Sequence, residues 1–227
     1  MEIERGNFGG GIHMVGGSFT AAGRAAYETN FHRATVETKR RPALSGTALL
    51  GFATCYSKAH YGPDRQIECF MPGAFSASLR SHRDVAFLKN HSWSRCYGST
   101  TTGELELFED DAGLAFKLLV ADDADGRELL AEVENGKLQM SVGYTSDIAE
   151  TKDFGGVDVR LIRQAQLGEI SAVGRPAVAE TVVTAMPADA VPSLTELCRS
   201  GRMKSLAAAG HFERRLAVLR RALAEMA

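Results

Sequence analysis

The chain has 227 residues, 44% of them hydrophobic and 24% charged, enough to bury a sizeable core and unlike a disordered or fibrous chain. Its formal net charge of −2 gives no global basis for nucleic-acid binding, and no apolar run approaches the ~20 residues of a membrane-spanning helix. Four scattered cysteines (Cys55, Cys69, Cys96 and Cys198), none in a CxxC pair, point to a reduced cytoplasmic setting rather than a disulfide framework.

Residues 1–13 read as a vector-derived leader, set aside from fold reasoning, and residues 1–42 together as a Gly-rich flexible arm that turns basic at Lys39, Arg40 and Arg41. From Ala43, ALSGTALLGFATCYS has the β-rich, partly alternating character of one or two strands, and QIECFM (66–71) of another. Pro72-Gly73 ends that run, and AFSASLRS follows as a short helix. VAFLKN (85–90) is a short apolar strand that stops at His91. ELELF (104–108) and LAFKLLVA (114–121) form a hairpin across an acidic turn containing Gly113. Asp122 or Asp123 caps a helix through ADGRELLAEVENG, where Leu129, Leu130 and Val133 keep helical spacing and Gly136 supplies the stop.

LQMSVGYTSDIAE (138–150) alternates as a strand: Leu138, Met140, Val142 and Tyr144 face one way, Gln139, Ser141, Gly143 and Thr145 the other. VDVRLIRQ (157–164), LGEISAV (167–173) and TVVTAM (181–186) are three further strands. After Pro192 the pattern turns helical at Leu194 and Leu197, and Phe212, Leu216, Leu219, Leu223 and Met226 make a short coiled-coil-like stripe. From Arg199 onward seven Lys/Arg stand against two acids, a local +5 that leaves −7 for the rest. This is a mainly β fold with flanking helices (α+β), with an arm over 1–42, a body over 43–190 and a helical, basic tail over 191–227.

A serine nucleophile needs a base within hydrogen-bond reach and a third group to hold that base's tautomer. His13 and His32 fall in the arm and His211 in the tail, which leaves His60, His82 and His91, and only His91 directly follows an apolar strand. Ser141 sits mid-strand between two apolar neighbours, and Glu169 is a carboxylate in an otherwise apolar strand. Spacing alone does not join the three: Ser141 also reads as an ordinary outer-face serine, His91 as a capping residue and Glu169 as a solvated strand charge. Ser171, two residues past Glu169 on the same strand face, is an alternative nucleophile. Cys55, His60, Cys69, His82, His91 and Cys96 fall within 42 positions, but no pair has the close spacing of a structural zinc site, so no metal and no cofactor is expected.

Four ordered motifs add a resemblance. ECFMPGAFSASL looks like the "PGAF..SL" element of tailed-phage prohead (capsid maturation) serine proteases, of the type found in phage HK97. FLKNHSW resembles that family's histidine motif, DADGRELLAEVENGKLQMSVGY its helix, turn and "S.G" strand, and LGEISAVGRPAVAET its "L.E(V/I)S.V..PA" element. One departure is Gln139-Met140, where the family usually has Gly or another small residue before the nucleophile motif. The family is similar in fold to herpesvirus assemblins, so the resemblance implies an antiparallel β-barrel with flanking helices. It implies Ser141 as nucleophile, His91 as base, Glu169 as third member, and Gly174-Arg175 as oxyanion stabilisers. The activity implied is endopeptidase cleavage of scaffold, of the major capsid protein precursor and of the protease itself, inside proheads assembling in the host cytoplasm. A homodimer is a possible partner state, and no membrane or direct nucleic-acid contact is expected. The alternative is a catalytically inactive capsid-assembly or scaffold protein of the same fold. The basic tail reads either as a solvated helix or as a docking segment for capsid or scaffold protein.

Overall fold

Strand β1 (Leu44–Cys55) opens the fold in the computed structural model, which describes residues 44–62, 65–206 and 208–209. The expected arm over 1–42 and the stripe from Phe212 to Met226 lie outside the described residues. After β1 come β2 (Ala59–Tyr61), β3 (Ile67–Phe70), α1 (Ser76–Arg80), β4 (Ala86–Lys89) and β5 (Ser92–Ser99). Then follow β6 (Leu105–Asp110), β7 (Gly113–Ala121), α2 (Ala124–Glu134), β8 (Gln139–Asp153), β9 (Asp158–Val173), β10 (Val182–Pro187) and α3 (Leu194–Arg199).

One sheet has four strands in the order β10-β1-β7-β6, every neighbouring pair antiparallel. The expected hairpin over 104–121 is its β6–β7 edge. The other sheet is built around β9. The polar residues Arg163, Gln164 and Gln166 make it look like two strands in sequence, yet it is one. Strand β8 runs beside its full length, from Gln139↔Val173 to Asp153↔Asp158, and irregularities near Gly143 and Ile148 absorb the mismatch.

The far edge of β9 is shared. Strand β3 pairs parallel with Val159–Ile162, and β4 pairs parallel with Glu169–Ala172. The Pro72-Gly73 turn and α1 fill the gap between them. Met71 N–H donates to the Ile162 carbonyl (2.9 Å), Ala165 N–H to the Ala74 carbonyl (2.8 Å), and Leu167 N–H to Ser78 Oγ (2.9 Å). The Glu109 carboxylate of the opposite sheet holds this turn, accepting from Phe75 N–H (2.9 Å) and from the hydroxyls of Ser76 and Tyr56. Thus the PGAF segment locks the centre of β9 in place.

The structure is mainly β with few helices, as expected, but its strands close no barrel among the described residues and are not all antiparallel. They form two open sheets, because β9 is long enough to take two short parallel strands end to end on one edge. Such pairs need long crossovers, which the chain supplies by passing through the rest of the fold. Two strands carry no alternating signal in sequence: three-residue β2, and β5, whose SWSRCYGS is largely polar.

The two sheets enclose a shared core. Leu49, Phe116 and Leu118 from one meet Phe70, Phe87, Met140, Val142, Tyr144 and Ile170 from the other, with Leu129 and Val133 of α2. Asp123 caps α2, its Oδ1 accepting Gly126 N–H at 2.7 Å. On the outer face of the four-stranded sheet, Leu194, Leu197, Cys198 and Met203 bury against Ala48, Leu50, Phe52 and Val182. Full burial of each leucine contributes about 1.5–3 kcal/mol, so the first part of the expected tail packs on the sheet.

Candidate active site

The pairing of β8 with β9 puts Ser141 opposite Ser171 and Gly143 opposite Glu169. Alternation then sends these four residues to the sheet face turned away from the shared core, while Met140, Val142, Ile170 and Ala172 enter the core. This division of β8 is the one its sequence predicts. The face is closed to solvent: Ser141 is 5% exposed, Glu169 2% and Ser171 0%.

His91 reaches the same face from the neighbouring strand. Lys89 and Ser92 end a two-residue hairpin between β4 and β5. Its central residues, Asn90 and His91, both have left-handed backbone (φ +52° and +56°), as a type I′ turn requires. Glycine usually fills the second of these positions, so a histidine there carries backbone strain, common where function fixes a side chain. Two hydrogen bonds to β9 support the turn: Asn90 N–H to the Ala172 carbonyl (2.9 Å) and His91 N–H to Ser171 Oγ (3.0 Å). Lys89, 7% exposed, is anchored to α2 by Glu128 (2.8 Å) and Glu132 (2.5 Å).

The imidazole Nδ1 of His91 lies 2.6 Å from Glu169 Oε1, and both groups are buried. A buried carboxylate keeps its charge only with partners, and Glu169 has two, since Ser171 Oγ donates to its Oε2 at 2.7 Å. Burial works against the imidazolium, but the charge and hydrogen bond of Glu169 outweigh it, and the His91 pKa stands above its ordinary value. Gly143 makes the arrangement possible: a Cβ there would lie 2.2 Å from Glu169 Oε1. The glycine of the "S.G" motif is therefore room for the carboxylate. With Nδ1–H donated to a carboxylate, the ring has Nε2 left as its basic atom, the state a general base needs.

Ser141 also borders a small pocket between β8 and β1, with Thr54, His60, Phe70 and Val178 among its walls. Burial holds the His60 imidazole below its usual pKa, and its ring stacks on Phe70 at 5.1 Å. The Thr54 hydroxyl is buried with no hydrogen-bond partner among the described residues. The segment after β9 is tied along β8 by Gln139, which donates to the Ala179 carbonyl at 2.8 Å, and by Thr181, whose Oγ1 accepts Met140 N–H at 3.1 Å. That is the place in the structure of the Gln139-Met140 departure.

The structure thus brings His91 and Glu169 into contact on the face that Ser141 shares, while Gly174 and Arg175 are exposed in the segment just after β9. No group of three or more His, Cys, Asp or Glu side chains among the described residues is placed to hold a metal, so the scattered His/Cys set does not converge. Sequence reasoning missed two contributors. Gly143 read as an ordinary strand position, and Ser171 as a competing nucleophile rather than a partner of both His91 and Glu169. The two-residue alternation of Glu169 and Ser171 was the available signal.

No curated protein matches the chain. The family model of the caudovirus prohead serine protease matches residues 34–192, well over half of the chain and inclusive of Ser141, His91 and Glu169. The chain therefore belongs to the caudovirus prohead serine protease family.

Proposed function

We propose that Ser141 is the nucleophile, His91 the general base and Glu169 the orienting carboxylate of an endopeptidase that matures proheads. The observation that carries the reading is the 2.6 Å His91–Glu169 contact, made on the sheet face that also holds Ser141. Ser141 Oγ attacks the scissile carbonyl carbon while its proton passes to His91 Nε2. Glu169 holds the ring by Nδ1–H and supports the imidazolium as it forms. The C–N bond then breaks, and Nε2 returns the proton to the leaving amine. A water molecule, deprotonated by the same nitrogen, hydrolyses the acyl-enzyme and frees Ser141. The oxyanion falls to the Gly174-Arg175 segment, through backbone amides or the guanidinium.

Substrates are the scaffold and the major capsid protein precursor, and the protease cleaves itself, within proheads assembling in the host cytoplasm. Residues 43–190 form the protease domain and the basic segment beyond it docks to capsid or scaffold protein; a homodimer is the assembly in which the oxyanion segment orders. Family membership supports the activity class, and the prohead in the family's description supports these substrates.

The test is intact mass over time for the capsid precursor mixed with wild type or with Ser141→Ala. Discrete products are expected with the wild type and none with Ser141→Ala, a loss of several orders of magnitude in kcat. Stability should change by less than about 1 kcal/mol, because a single hydroxyl is removed. The same fragments from both proteins would overturn the assignment.

A further inference from the structure

We infer that Ser171 is a positioning residue of the active site, one hydroxyl that sets both the turn carrying the base and the carboxylate that orients it. The inference rests on the proposed roles of Ser141, His91 and Glu169.

Ser171 is 0% exposed, and both functions of its hydroxyl are in use. Its oxygen accepts the backbone N–H of His91 at 3.0 Å, and its proton goes to Glu169 Oε2 at 2.7 Å. Its proton is thus committed to a carboxylate rather than to an imidazole nitrogen, and Ser171 meets His91 at the main chain. What it does instead is close a ring of contacts. The His91 ring binds Glu169 Oε1, Glu169 Oε2 binds Ser171, and Ser171 binds the His91 backbone. The histidine is thereby held at two points, ring and main chain, through one strand of the sheet.

The backbone point matters because His91 sits at φ +56°, a conformation a non-glycine residue keeps only when neighbours enforce it. The carboxylate point matters because Glu169 divides its charge between two donors. Without the Ser171 proton, more of that charge falls on the imidazolium, and the base becomes harder to deprotonate. Glu169 is the charged group acting on His91 across the sheet; Lys89, two residues upstream, is engaged by Glu128 and Glu132 of α2.

Ser171→Ala should therefore remain a protease but a poorer one. With the capsid precursor as substrate, kcat should fall about 10- to 100-fold with KM little changed, and the acid limb of the kcat profile should move to higher pH. Ser171→Cys keeps the side-chain volume close to serine and supplies only a weak donor, so its limb should move the same way, and it serves if the alanine variant does not fold. A serine that merely fills space would leave the limb where it is in both variants, and that result overturns the inference. Loss of turnover as deep as in Ser141→Ala also overturns it, in favour of Ser171 as nucleophile. Absence of turnover in the wild type overturns the protease reading itself, which is a separate failure.

Discussion

His91 carries the most demanding position in the molecule. It occupies a turn conformation that suits glycine, is almost fully buried and, as the proposed base, must still change charge during each turnover. Its environment is built from opposing effects: burial lowers the pKa, and the charge and hydrogen bond of Glu169 raise it further. A base works when neutral, so activity should appear as pH rises through the folded-state pKa, and the acid limb of kcat/KM should lie above the ordinary histidine value of ~6.5. In Glu169→Gln the charge is gone while burial remains, so the limb should move to lower pH while the plateau falls by less than in Ser141→Ala. A pH–rate profile of each protein checks this. An unmoved limb would mean that Glu169 does not act on His91.

At the scale of elements, the site is a property of strand registry. Strand β9 supplies Glu169 and Ser171, β8 supplies Ser141 and the space at Gly143, and the β4–β5 turn delivers His91 over both. Gly143→Ala tests the fit between strands. The added methyl would collide with the carboxylate that His91 and Ser171 hold. We expect a folded protein destabilised by about 1–3 kcal/mol, with kcat down about 100-fold through displacement of the carboxylate, measured by thermal unfolding and by precursor cleavage. Unaltered kcat would show that the carboxylate can move without consequence. Much of this was legible beforehand: alternation in LQMSVGYT placed Ser141 opposite the core face, and VAFLKN ended at the histidine. The hairpin was not, because Asn90-His91 lacks the Asn-Gly signal of a type I′ turn and the following strand is polar. The continuity of β9 was hidden by Gln164 and Gln166, which stand between the stretches that pair with β3 and β4 rather than in a loop.

On the scale of the whole molecule, two sheets share one core, with α3 outside the first and the face of the proposed site outside the second. The β content and chain order of elements could be read from composition and periodicity. The split into two open sheets could not, since parallel pairing of β3 and β4 with β9 is fixed by contacts between residues far apart in the chain, such as Ile67 with Val159 and Ala86 with Glu169. The same reason keeps a triad out of reach of spacing: His91 and Glu169 meet only once β4 docks on β9. The proposed triad has one reactive serine, which labelling with a fluorophosphonate followed by peptide mapping would locate. A single adduct is expected, on Ser141, formed by the wild type and not by His91→Ala. An adduct on Ser171, or equal labelling in His91→Ala, would contradict it.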